Sequence, residues 1–152
     1  MLNDLLNDDG FALLMKMHIY EVIEFLLRDG TPFEVAAYPS FISYDPELPE
    51  HIKLHLSSER LTLFALAGYT FESAVLTGDT LRFEAGFGKA DFPSTVSMPL
   101  SAIAQILVEK HPILVNFSVY KQPKNQEKEP NDDESSFSVF KNNPLNSGFF
   151  ND

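Results

Sequence analysis

After Thr31-Pro32 the chain breaks into a series of short extended runs, PFEVAAY, HIKLHLS, YTFESAVL, TLRFEAGF, STVSM and ILVNFSV, each carrying β-branched or aromatic residues. A single short strand cannot bury its own apolar face, so the runs must pair with one another. Period-two alternation in several of them supplies an apolar and a polar side. In HIKLHL the alternation directs Ile52, Leu54 and Leu56 toward a core and His51, Lys53 and His55 toward water. Thr77-Gly78-Asp79, between two such runs, predicts a tight hairpin.

One segment has a different period. From Phe11 to Arg28 the residues Leu14, Met17, Ile19, Val22, Ile23, Phe25, Leu26 and Leu27 recur at three- and four-residue steps. Asp8 or Asp9 is placed to cap the start and Gly30 to end it, which predicts a helix over about 11–29. Its apolar arc is wide enough to pack on more than one partner. LTLFALAG, Leu61 to Gly68, is apolar throughout, and Ser57 or Ser58 as cap with Gly68 as terminator predicts a short helix. Pro99 suits the first turn of a helix running to about Lys110. The expected fold is mainly β with an N-terminal α-helix: one domain over 1–120, its small, bent antiparallel barrel covering about 32–120. The 14 phenylalanines of the 152-residue chain supply side chains to fill it.

Beyond Tyr120 the composition shifts to KQPKNQEKEPNDDESS, which has no apolar anchor and predicts a disordered tail over 121–152. As a flexible coil, the 16 residues from Lys121 to Ser136 would reach roughly 20–25 Å. FSVFKNNPLNSGFF then restores large apolar side chains where no core remains to receive them.

Charge and residue types narrow the function. The net charge is −11, and residues 1–120 hold 7 Lys/Arg against 16 Asp/Glu, or −9, which repels a phosphate backbone. No nucleic-acid partner is therefore expected. The absence of cysteine excludes disulfides and thiolate chemistry and makes the cytoplasm the natural compartment. MLNDLLNDDG lacks the basic start of a secretory signal, and no apolar run approaches the roughly 18–20 residues a membrane span needs, so neither export nor a membrane partner is expected. His51 and His55, read on a strand, lie about 13 Å apart, too far for one ion, while His18 and His111 are isolated; no metal or cofactor is expected. No carboxylate stands in a catalytic spacing with His, Ser or Lys, and no nucleophile elbow or phosphate loop occurs, so the expectation is a protein that is not an enzyme. Gly86 and Gly88 inside a strand mark either a bulge or a place where another backbone comes close.

RFEAGFG followed by STVSMPLSAI resembles the heart of the stringent starvation protein B family, adaptors that deliver tagged substrates to the ClpXP protease. IYEVIEFLLRDGTP is similar to that family's N-terminal helix and the Thr-Pro after it, and HIKLHLS is placed like its second strand, so the likeness covers most of Ile19 to Leu107. The chain departs from the family at Gly86, where an Arg is common, at Lys89, where a glycine is expected, and in the longer connection SSERLTLFALAGYT. These departures bear on groove shape and tag preference.

The resemblance implies an Sm-like barrel, dimeric through the N-terminal helix, here Met17, Tyr20, Ile23, Glu24 and Leu27. It also implies a groove for an extended ssrA-type peptide, here Phe83, Glu84, Ala85, Gly86, Phe87 and Gly88. Small Ala85 and Gly86 would admit a peptide main chain, with Phe83 and Phe87 as apolar contacts; the alternative is that Leu81, Phe83, Ala85 and Phe87 form one inward strand face. FSVFK is similar in type to the short module with which the family docks on the ClpX unfoldase, which points to Phe137, Val139, Phe140 and Lys141. An Sm-like module binding another peptide or protein, or RNA, is the competing reading.

Overall fold

In a computed structural model that describes residues 1–119, the N-terminal helix is capped as its sequence requires. A short helix α1 (Leu2–Leu6) leads to α2 (Asp9–Asp29). Asp8 is extended, and its carboxylate accepts the Phe11 backbone N–H at 2.9 Å. At the other end Gly30 takes the left-handed conformation, φ 82°, and donates its N–H to the Leu26 carbonyl. Ile19, Ile23 and Leu26 face the core from α2.

The described residues are mostly β and fall within one compact unit, Met1–Tyr120. β1 (Phe33–Ala37), β2 (Ser43–Asp45), β3 (Thr62–Leu66), β4 (Val75–Thr77), β5 (Thr80–Phe87), β6 (Phe92–Pro99), β7 (Ile103–Val108) and β8 (His111–Val115) form two antiparallel four-stranded sheets, ordered β3-β1-β7-β8 and β2-β6-β5-β4. Both sheets and α2 share one core: Val35, Leu66 and Ile106 from one sheet meet Leu81, Phe83, Val96 and Met98 from the other. The β6-to-β7 connection, a single turn of 3-10 helix at Leu100–Ala102, carries the chain from one sheet to the other. Among the described residues the strand pairing leaves each sheet with two edges, so the expected barrel is not closed.

The Thr77-Gly78-Asp79 turn forms as expected: Thr77 pairs with Thr80, and Gly78 has φ 61°. Four other expectations are corrected. HIKLHLS is a helix, α3 (Glu50–Ser57). Of the apolar residues that alternate at 52, 54 and 56, Ile52 and Leu56 also stand one helical turn apart. Pro49 precedes the first turn and Glu50 lies within it, and helix geometry leaves Leu54 60% exposed while Ile52 and Leu56 turn inward. LTLFALAG, expected to be helical, contributes β3, because β1 needs a second neighbour; Thr62, Phe64 and Leu66 point in and Leu63 and Ala65 point out. YTFESAVL, expected to be one strand, is divided between helix α4 (Gly68–Ser73) and the three residues of β4.

The helix expected from Pro99 to about Lys110 is limited to the Leu100–Ala102 turn, after which β7 takes over. β7 pairs on both sides and is buried at Ile103, Ala104 and Ile106, so its apolar run lacks the alternation that marks a half-exposed strand. The tail expected to be disordered over 121–152 and the docking module expected at 137–141 lie outside the described residues.

Candidate functional site

β5 is longer than its outer neighbour. β4 pairs only with Thr80–Arg82, whereas β6 pairs with all of Thr80–Phe87. From Glu84 onward the other edge of β5 has no strand beside it among the described residues. Backbone groups in an antiparallel strand point alternately to the two sides. The Glu84 N–H points away from β6, since it donates to the Ser73 hydroxyl at 2.8 Å, and Gly86, two residues on, presents its N–H and carbonyl to the same open side.

Two short helices bound this open edge. At one end is α4, which supplies Ser73 to the Glu84 N–H and Tyr69, whose hydroxyl donates to the Glu84 carboxylate. That carboxylate holds the Tyr69 proton and raises the Tyr69 pKa above its ordinary value. At the other end is α3, close enough that a Cβ on Gly88 would lie 2.8 Å from Ile52 Cδ1. Between them the aromatic rings of the two sheets meet. Phe64 of β3 lies 5.4 Å from Phe83 and 6.4 Å from Phe87, and Tyr44 of β2 lies 5.7 Å from Phe87, all edge-to-face.

The residues expected to bind peptide separate into two sets. Phe83 is 1% exposed and belongs to the core. Ala85 and Phe87 are half-buried on the same inward face, as the inward-face alternative requires. Glu84 and Gly86 are exposed, and Gly88 lies in the β5–β6 turn with φ 71°. The pairing of β5 with β6 runs unbroken from Thr80↔Pro99 to Phe87↔Phe92, so Gly86 is not a bulge. It is a point of close approach, but by this chain itself: a Cβ there would overlap the Asp91 carboxylate. Tyr69, Ser73, Ile52, Phe64 and Asp91 carry no local sequence signal for this place; tertiary structure brings them there.

The residues expected at a dimer interface divide as well. Met17 and Glu24 are exposed, Tyr20 and Leu27 are half-buried, and Ile23 is fully buried against the sheets, with no surface to offer a partner. A second apolar face nevertheless exists. Leu13, Leu14, Met17 and Phe25, all about half exposed, lie on the side of α2 opposite Ile19, Ile23 and Leu26.

Fold and site together define a two-sheet β protein with an N-terminal helix and an open strand edge. No protein-family model matches the chain, and no curated protein matches its sequence. No helix among the described residues is long and apolar enough to cross a membrane.

Proposed function

We propose that this chain is a non-enzymatic cytoplasmic adaptor that binds an extended degradation-tag peptide of ssrA type and delivers its owner to the ClpXP protease. The observation that carries the reading is the open edge of β5, where the Gly86 N–H and carbonyl and the Glu84 carbonyl face away from β6. A peptide added as a strand takes its affinity from such groups and its selectivity from neighbouring side-chain pockets. In this reading the two sheets are the halves of a small Sm-like barrel, the second apolar face of α2 joins two copies, and Phe137, Val139, Phe140 and Lys141 engage ClpX. A second reading, a basic peptide from another pathway, draws on the two carboxylates at the edge, Glu84 and Asp91.

Fluorescence anisotropy with a labelled ssrA-type peptide, its scrambled version and a version N-methylated on alternate amides tests the proposal. The expected result is binding of the first, weak binding of the second, and loss when the methylated amides are those facing β5. Truncation after Tyr120 is expected to leave peptide affinity unchanged while removing stimulation of tagged-substrate degradation. Equal binding of all three peptides would sink the strand-addition reading.

A further inference from the structure

The correction at α3 alters the chemistry of its two histidines. On a strand, His51 and His55 would be about 13 Å apart. On the helix Glu50–Ser57 they are one turn apart on one face, with Cβ atoms about 5–6 Å from each other. Both are exposed. The adjacent apolar pair, Ile52 and Leu56, turns inward and fixes the orientation of the helix, so the two imidazoles share one outward stripe. Among the described residues, no hydrogen bond or ion pair engages either imidazole; the nearby Lys53 is held by Glu47 at 3.0 Å.

We propose that His51 and His55 form a two-histidine chelate for a borderline divalent transition cation, Zn2+ or Cu2+. Neutral imidazole nitrogens suit these ions, which bind nitrogen at about 2.0–2.1 Å in the zinc case. Histidines four apart on a helix are the arrangement by which HExxH segments hold zinc. Here Ile52 occupies the position of the glutamate base in such a segment, so the pair performs chelation rather than metal-assisted hydrolysis. No group of three or more His, Cys, Asp or Glu gathers among the described residues, so water, or a group from a partner, fills the remaining positions. Hard cations such as Mg2+, which prefer oxygen ligands, are excluded by the same chemistry.

The test is calorimetric titration of the full chain with Zn2+, Cu2+ and Mg2+, alongside His51→Ala, His55→Ala and His18→Ala. The expected result is one site, tighter for Cu2+ than for Zn2+ and silent to Mg2+, with affinity falling by roughly tenfold or more in either His51→Ala or His55→Ala and unchanged in His18→Ala. Because the chelate spans one helical turn, saturating Zn2+ should also slow amide exchange within 50–57 in the wild-type chain and not in the variants. Wild-type affinity in His51→Ala or His55→Ala, or a loss in only one of them, would overturn the proposal.

Discussion

Two buried hydroxyls lack hydrogen-bond partners among the described residues, Tyr44 Oη and Thr62 Oγ1. Each lies on a strand beside the aromatic cluster between the sheets, through Phe87 for Tyr44 and through its own strand neighbour Phe64 for Thr62. A buried polar group left unpaired loses its water without recompense, so removing it should not destabilise the protein. Tyr44→Phe and Thr62→Val are therefore expected to be neutral or stabilising by up to about 1 kcal/mol in urea unfolding. Burial also pushes the Tyr44 pKa up from 10.0 to about 12. The unfolded chain then releases this proton first, so Tyr44 leaves stability unaffected below about pH 10 and lowers it as pH rises through 10 toward 12. Absorbance titration should show one tyrosine ionising near pH 12, and Tyr44→Phe should remove that step and lessen the alkaline loss of stability.

At the scale of elements, α2 has two apolar faces with different tasks. The Ile19, Ile23 and Leu26 face is filled by the sheets, so Ile23→Ala should cost about 2–5 kcal/mol by leaving a cavity that the surroundings fill only in part. The opposite face, Leu13, Leu14, Met17 and Phe25, stays about half exposed in one copy of the described chain, with the Arg28 guanidinium 5.8 Å from the centroid of the Phe25 ring. Met17→Lys with Phe25→Lys should leave the unfolding midpoint of the monomer nearly unchanged, within about 0.5 kcal/mol for exposed positions. If that face joins two copies, the same double variant should convert a sedimenting dimer to a monomer. A wild-type chain that sediments as a monomer at high concentration would remove the face's assigned role.

For the molecule as a whole, the two sheets do not own separate cores. Phe83 of one sheet packs edge-to-face on Phe64 of the other at 5.4 Å, within a cluster that also takes in α2. Phe83→Ala should cost about 3–5 kcal/mol. It should lower near-ultraviolet and far-ultraviolet circular dichroism in one coincident transition, because loss of the shared contact weakens both sheets together. Two separated transitions would show that the sheets fold as independent units.

The α2 helix, its Asp8 cap and Gly30 end, the hairpin at Gly78 and the strands β1, β5 and β6 were legible in the sequence, because each is set by a period, a cap or a turn residue acting within a few neighbours. The same local logic made the wide arc of α2 readable as two faces, but not which residues served which; Ile23 was assignable to the core only once the sheets were in place. HIKLHLS, LTLFALAG and the run from Pro99 to Lys110 suit more than one period, and the state of the last two was decided by long-range pairing: β3 and β7 lie on either side of β1. The candidate edge divides in the same way. The glycines at 86 and 88 marked the place, but the open backbone there exists because β4 stops opposite Arg82, and no residue of β5 carries that fact. The alternating pattern put His51 and His55 on a strand about 13 Å apart, and the helix that sets them one turn apart was a tertiary decision, with Ile52 and Leu56 turned inward.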